Sequence, residues 1–455
     1  MARLIAPSGA LSTNPLKVSA ALGAANAYLG VAGAVPLLHG AQGCTAFALV
    51  AMVRHYDEPI PLQTTAMNEI STILGGAEQV EEAIDNLRRK AAPSLIGIAS
   101  TALTETRGED VAGELRALRN RRSDLADTAV VYASTPDFIG GFEEGWARAV
   151  TAMVEDLVPP PRQRRPRQVN LLAGSHLTPG DIEELVALIR AFELEPVVFP
   201  DISTSLDGHV EDDWRGTSMG GTPLEDLRRL GESACTLVVG ESLAGAAERL
   251  EAVTGTPFRV FDRLTGLRAV DGFVATLMAL AEAGDAPAPV KRARSRCVDA
   301  MLDAHLQTGG VRVALGADPD LLFALGSAAV DLGAEVVAAA STSWSNPVLA
   351  RVPTDEIAIA DLGELERRAA AGGAELLITH AHGRRAAERL ELPLVRAGFP
   401  IFDRLGAQDV RRVGYGGTRA FILEIANAVQ GRAHDPSPEH FGAAPPSREF
   451  DHARP

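Results

Sequence analysis

Few side chains in this 455-residue chain could act as nucleophiles or metal ligands, and its three cysteines stand far apart. Cys44 lies in Leu38-His-Gly-Ala-Gln-Gly-Cys-Thr-Ala-Phe47, after an apolar run and before a helix-like apolar stretch. Gly40 and Gly43 let the backbone turn tightly. A thiolate at a helix start is favoured by the helix dipole and the free amides. The pattern predicts a reactive or a metal-bound thiolate. One cysteine cannot hold an iron–sulfur cluster, which usually takes four thiolates, so a cluster here has to be shared with another chain. Cys235 opens an apolar strand-like run and Cys297 lies on an amphipathic helical pattern, and both read as small buried hydrophobes. His380-Ala-His382 and Gly174-Ser175-His176 each follow a strand-like run. The first lacks the acids or cysteines that would complete a metal shell and is expected to be a solvated loop. The second is expected to be a polar loop that positions the next helix cap.

Composition removes several function classes. Basic minus acidic residues is 43 − 59 = −16, which argues against broad nucleic-acid binding and against an anionic membrane surface. No Gly-Lys dipeptide occurs, so a Walker-type phosphate loop is excluded. No Gly-x-Gly-x-x-Gly follows a strand-like run, and the Gly-x-Ser-x-Gly match Gly216-Thr-Ser-Met-Gly220 follows Glu-Asp-Asp-Trp-Arg and not an apolar strand, which leaves dehydrogenase and α/β-hydrolase readings without support. The most apolar region, from Ala20 to Val53, is interrupted by Asn26, Pro36, His39 and Gln42, too often for a membrane span. Three widely spaced thiols fit a reducing compartment, and a cytoplasmic location is expected.

The elements that must position these residues repeat along the chain. Val158-Pro-Pro-Pro-Arg-Gln-Arg-Arg-Pro-Arg167 and Ala283-Gly-Asp-Ala-Pro-Ala-Pro289 read as extended linkers. They divide the chain into 1–165, an α/β domain carrying Cys44; 166–290 and 291–432, two further Rossmann-like domains; and 433–455, a loose tail. The second and third look like copies. Val169-Asn-Leu-Leu-Ala-Gly174 and Val311-Arg-Val-Ala-Leu-Gly316 open them, and Val260-Phe-Asp-Arg-Leu264 and Ile401-Phe-Asp-Arg-Leu405 close them. Apolar runs alternate with helical patterns. Thr178-Pro-Gly-Asp181 is a capping-box helix start, and 77–90 reads as a helix with Val80, Ala83, Ile84 and Leu87 on one face. The expected fold is three Rossmann-like α/β domains with mostly parallel sheets covered by helices.

Several longer motifs carry a resemblance. Asn14-Pro-Leu-Lys-Val-Ser-Ala-Ala-Leu-Gly-Ala24, Leu38-His-Gly-Ala-Gln-Gly-Cys44 and Ser100-Thr-Ala-Leu-Thr-Glu-Thr-Arg-Gly-Glu-Asp110 resemble the nitrogenase component 1 family on its molybdenum–iron protein β-subunit side. Leu172-Ala-Gly-Ser-His-Leu-Thr-Pro-Gly-Asp-Ile-Glu-Glu-Leu185, Leu206-Asp-Gly-His209, Phe402-Asp-Arg-Leu405 and Gly414-Tyr-Gly-Gly-Thr418 extend the match over almost the whole chain. Within the family the likeness is strongest to the branch of cofactor-maturation scaffolds.

The resemblance implies specific roles. The catalytic β-subunits place three cysteines on a shared eight-iron cluster, and here only Cys44 stands at a matching position. Ser19 and Ala102 stand at the other two. One thiolate from this chain and three from an α-like scaffold subunit would hold a 4Fe–4S cluster, in a heterotetramer with two of each subunit. The iron–molybdenum cofactor precursor is expected mainly in the partner. The nitrogenase iron protein is expected to dock on Ile73, Leu74, Gly75 and Gly76, where Leu74 replaces an aromatic contact. The alternative is a catalytic subunit of a nitrogenase-like oxidoreductase, either nitrogenase β or a protochlorophyllide or chlorin reductase. The missing thiolates argue against nitrogenase β. A subunit that only stabilises its partner, and a metal-free binding protein, are the remaining alternatives.

Overall fold

Each apolar run expected to be a strand is one in the computed structural model, which describes residues 1–7, 14–210, 213 and 215–431, apart from the side chains of Ile70, Leu74 and Ala126. The 433–455 stretch, expected as a loose tail, lies outside the described residues. In chain order the strands are β1 (Arg3–Ile5), β2 (Ala34–His39), β3 (Gln63–Thr64), β4 (Leu95–Ser100), β5 (Ala129–Ala133), β6 (Arg165–Ala173), β7 (Glu195–Phe199), β8 (Ser233–Val239), β9 (Phe258–Phe261), β10 (Arg312–Ala317), β11 (Glu335–Ser341), β12 (Glu356–Ile359), β13 (Leu376–Thr379) and β14 (Leu394–Arg396). They build three α/β sheets whose strand pairs are all parallel.

One strand plan recurs. The first sheet runs β3-β2-β4-β5 and the second β7-β6-β8-β9. The third runs β1-β12-β11-β10-β13-β14, so its β11-β10-β13-β14 part repeats the same plan and β12 and β1 widen it. The opening residues, grouped by sequence with the first unit, pair in the third sheet: Arg3 lies opposite Glu356 and forms an ion pair with it. The β12 edge offers unpaired backbone groups, and β1 covers them. In each sheet the strand order reverses beside the first strand of its unit. The carboxyl ends of β2/β4, β6/β8 and β10/β13 are therefore the crevices where ligands bind in such folds.

The helices follow local signals. Thr178 caps Pro179–Arg190 through a capping box with Asp181, and Pro179 occupies the first turn. Ala77–Ala91 buries Val80, Ile84 and Leu87 and ends in Arg88, Arg89 and Lys90. Ala20–Leu29 is buried at every residue. It packs against Phe142–Leu157 at a backbone distance only glycine allows, because a Cβ at Gly23 would run into the Phe142 carbonyl and one at Gly145 into the Ala20 carbonyl. The most apolar region, Ala20 to Val53, is thus a core helix, a buried strand and most of the helix Gln42–Tyr56. No described helix is long and apolar enough to cross a membrane.

The first linker is less free than its composition suggests. Arg165 to Arg167 already belong to β6. Arg164 donates to the carbonyls of Gly231 (2.7 Å) and Thr254 (2.6 Å), and Arg167 to those of Phe192 and Glu193. The guanidinium groups satisfy carbonyls at loop ends, so the linker's second half is pinned to the unit it enters. At the second linker, Ala288 and Pro289 start the helix Ala288–Thr308.

Carboxylates tie the three sheet units together. Glu143, on the helix behind the first sheet, accepts from the Asp320 amide (2.9 Å) at the start of Pro319–Asp331. Asp320 accepts from the Glu241 and Ser242 amides (both 3.1 Å), ahead of Ala244–Thr254. Asp181 accepts from the Arg412 and Val413 amides, just before Gly414–Gln430. Each carboxylate satisfies free amides at the helix start of another unit. Burial and the nearby Asp320 charge push Glu143 well above the usual carboxylate range.

Asp318 lies beside this junction, accepting from the Thr342 hydroxyl (2.6 Å), and burial pushes it up to about 7. Its folded form binds a proton at pH values where the unfolded form, near 3.8, has lost it. The stabilisation is complete below the unfolded value and is lost as pH rises toward 7. Asp318→Asn, which keeps the shape and cannot ionise, should therefore melt above the wild type at pH 8 and lose that advantage at pH 5. Thermal unfolding of both proteins across this range measures it. A constant difference would place the titration elsewhere.

Candidate functional site

Cys44 sits at the switch point of the first sheet. β2 and β4 pair in register with His39 opposite Ser100, so the loop after β2 and the helix start after β4 are neighbours. The β2 loop is held from several sides. Thr101 Oγ1 donates to the His39 carbonyl (2.9 Å), the Gly40 amide donates to Thr65 Oγ1 (3.1 Å), and the Met67 amide donates to the Gly40 carbonyl (2.9 Å). Cys44 is exposed in the first turn of Gln42–Tyr56, whose start has no side-chain cap. Positive helix-end potential and access to solvent suit a metal-bound sulfur. A Cβ at Gly43 would meet nothing within 4 Å, so space beside the thiol is open.

That helix is anchored at its far end and turned outward along its length. The His55 ring accepts the Ile401 amide (2.9 Å) and packs edge-on against Tyr56 and Phe399, and burial pushes its pKa down to about 4. On the opposite side Phe47, Val50 and Val53 are 83%, 56% and 37% exposed, at i, i+3 and i+6 from one another. An apolar stripe that starts one turn beyond the thiol faces solvent in this chain.

Ser19 and Ala102 also lie at helix starts. Ser19 Oγ donates to Asp137 Oδ1 (2.8 Å) and precedes Ala20–Leu29. Ala102 is the exposed first residue of Ala102–Arg107. A hydroxyl committed to a carboxylate and a methyl group add no cluster ligand. No three His, Cys, Asp or Glu side chains converge as a metal site among the described residues. The donor set this chain presents is the Cys44 thiolate, which fits one corner of a cluster and requires the other corners from elsewhere.

The 73–76 strip lies over the same end of the sheet. Ile73 is 77% exposed. Leu74 ends the helix Glu69–Leu74, and its side chain lies outside the described residues. Gly75 has φ +121°, a conformation that favours glycine, and Gly76 precedes Ala77–Ala91. Four residues that the sequence reading gave no role join the strip to the cysteine loop: His39, Thr65, Arg107 and Glu109. His39, Arg107 and Glu109 stood inside motifs used for the resemblance, but nothing in their spacing announced a contact. His39 Nε2 meets Glu109 Oε2 at 2.8 Å, and Arg107 meets Glu109 Oε1 at 2.6 Å. Burial outweighs the carboxylate and lowers the His39 pKa, so the ring is neutral.

The other candidates resolve differently. Cys235 and Cys297 are buried, and burial pushes the Cys297 thiol up to about 11. In the His380 loop, expected to be solvated, His382 is exposed but His380 is buried. Its Nε2 donates to the Leu16 carbonyl (3.1 Å), Nδ1 accepts from the His382 amide, and burial lowers its pKa to about 4. With both ring nitrogens used inside the fold, it offers a metal nothing. His176 is likewise inside, its ring between Gly174 and Gly240, with Nδ1 unpartnered. It lines a cavity of about 50 Å³ with Asn26, Tyr56, Asp318 and Arg412. That is room for a few waters, against the several hundred Å³ of ordinary ligand sites.

Comparison with known proteins agrees with this geometry. Residues 19–430 match the model of the family described as nitrogenase component 1 type oxidoreductase. The nitrogenase iron-molybdenum cofactor biosynthesis protein NifN of Rhodobacter capsulatus is 60% identical, over 99% of this chain and 98% of that protein. The NifN protein of Mesorhizobium japonicum is 48% identical over 96% and 95%. A solved structure titled Nitrogenase Cp1 at pH 6.5 superposes with a TM-score of 0.87 at 29% identity, covering 94% of this chain and 95% of that one. With a family match over residues 19–430 and a 60% identical relative covered over nearly its full length, the chain belongs to the nitrogenase component 1 type oxidoreductase family.

Proposed function

We propose that this chain is the β-like subunit of the scaffold complex on which the nitrogenase iron–molybdenum cofactor precursor is matured. The names of its relatives support a role in cofactor biosynthesis. The observation that carries the finer reading is a lone exposed thiol at the switch point, flanked by an outward apolar helix face, with Ser19 and Ala102 where catalytic β-subunits carry cysteines.

Cys44 contributes one thiolate to an interfacial 4Fe–4S cluster whose other ligands come from an α-like subunit of the NifE type. When bound, the cluster would supply one-electron transfer. The chain's own residues do the positioning. The Thr65 and Thr101 hydrogen bonds hold the loop that leads into the helix start carrying Cys44. Phe47, Val50 and Val53 bury against the partner, which accounts for apolar side chains left in solvent here. The cofactor precursor lies mainly in the partner. The cavity of about 50 Å³ at the ends of β6 and β10, lined by no cysteine, is too small for it, which supports that placement. The nitrogenase iron protein docks over Ile73–Gly76. The complex is a cytoplasmic heterotetramer with two of each subunit.

Cys44→Ala should empty the cluster and spare the fold, since Cys44 is exposed in a first helical turn. Iron per heterotetramer should fall, and the reduced cluster's electron paramagnetic resonance signal should vanish. Cys235→Ala and Cys297→Ala should leave iron unchanged and lower the melting temperature instead, because both thiols fill core space. An unchanged signal in Cys44→Ala would mean that the partner alone holds the cluster.

Phe47→Asp should weaken assembly with the α-like subunit about tenfold or more, the range for burying a charge at an interface centre. Co-purification and analytical ultracentrifugation read it. Equal yields of complex would remove this face from the interface.

Deleting the gene should leave cofactor-free nitrogenase, and adding isolated iron–molybdenum cofactor to the extract should restore its activity. Failure of that rescue, with success from added catalytic β-subunit, would convert the assignment to an enzyme subunit.

A further inference from the structure

A hydrogen-bond chain runs between the 73–76 strip and the loop of Cys44. The Arg107 guanidinium donates to the carbonyls of Ser71 (3.0 Å) and Ile73 (3.4 Å) and to Glu109 Oε1. Glu109 Oε2 accepts from His39 Nε2–H. With the proton on Nε2, His39 Nδ1 accepts from the Thr65 hydroxyl at 3.0 Å, and Thr65 Oγ1 in turn accepts from the Gly40 amide. Donation runs from the Gly40 amide through Thr65 and His39 to Glu109, where it meets the donation from Arg107. The middle of the chain is out of water: the His39 side chain is 0% and the Glu109 side chain 7% exposed. The strip also bears directly on the ring. A Cβ at Gly76 would lie 2.8 Å from His39 Nε2 and 3.1 Å from Glu109 Oε2, so the backbone of the strip rests on the His39–Glu109 pair.

We infer that Arg107, Glu109, His39 and Thr65 are positioning residues that couple the strip to the Cys44 loop, so that a protein docking on Ile73–Gly76 shifts the cluster ligand. Displacing the strip pulls on Arg107 and presses Gly76 against the His39 ring. The ring is buried and bonded at both nitrogens, so it cannot absorb the shift by turning alone. It moves Thr65, and Thr65 moves Gly40, four residues ahead of the cysteine. A packed, fully satisfied network of this kind passes displacement on, where solvated side chains would dissipate it. The inference rests on the docking and cluster reading above.

The chain can be cut at either end without touching Cys44, in the complex with the α-like partner. Arg107→Ala removes the donors to the strip. Thr65→Val keeps the shape of a buried side chain and removes the link to Gly40, and Thr65→Ser restores that hydroxyl. In the iron-free complex, hydrogen–deuterium exchange should rise at Gly40 and 42–44 in Arg107→Ala, and at 73–76 in Thr65→Val, with Thr65→Ser like wild type. In the loaded complex, iron content and the resting resonance signal of Arg107→Ala and Thr65→Ser should be those of wild type, and rates for Thr65→Val are compared per loaded cluster. Reduction of the cluster by the iron protein with MgATP should slow about tenfold in each single variant, ~1.4 kcal/mol. The double variant should be no slower than either single, since both cut one chain. Exchange confined to the end that was cut, or single effects that multiply in the double variant, would overturn the coupling. A wild-type complex with no iron would defeat the scaffold reading instead, and the exchange result would still decide the coupling.

Discussion

Carboxylates that reach from one unit into the helix starts of another are the constraint on which the rest of this structure depends. Glu143, Asp320 and Asp181 each satisfy backbone amides that their own helix could not, and so join the first unit to the third, the third to the second and the second back to the third. A buried carboxylate without such partners would be expelled or protonated, and buried amides without acceptors would cost as much as lost hydrogen bonds. Each group therefore needs the other, and the three sheets can only sit where their helix starts converge. The carboxyl ends of β6 and β10 meet at this junction, and only a small cavity is left there.

The proposed cluster site lies away from that junction, at the carboxyl end of the first sheet. Its helix is held by His55 against the third unit and by Thr65 and Thr101 at the loop, so it can present Cys44 and an apolar face without the support of its own core. A face of this kind is unfavourable for a chain alone and favourable for one that is completed by another. The ligand arithmetic points the same way. One thiolate is too few for a cluster, and Ser19 is committed to Asp137. Deficient ligands and an uncovered stripe beside them describe half a site.

The fold was largely legible because its signals are local. The capping box at Thr178, the apolar face of Ala77–Ala91 and the strand runs of all three sheets depend on periodicities within ten or fifteen residues, and they appear in the structure where the spacing puts them. Where long-range pairing overrides composition, reading fails. The arginine-rich linker looks free, but its guanidiniums meet carbonyls roughly 25 to 90 positions away. The His380 loop looks polar, but the N-terminal segment covers it through Leu16. β1 belongs to the third sheet for the same reason, since an edge strand takes whichever segment the chain returns to it.

By itself, then, the sequence determined the class of fold, because that is a matter of residue type and short spacing, while the resemblance pointed to Cys44 as the proposed cluster ligand and to Ser19 and Ala102 as positions without a thiol. Tertiary structure decided what surrounds that cysteine. Only parallel pairing of β2 with β4 sets the Cys44 loop beside Ala102, and only the folding of 71–76 over His39 links the strip through Glu109 and Arg107 to Gly40. Those contacts join residues up to seventy positions apart, and hydrogen bonds at that separation leave no periodicity in a sequence to be read.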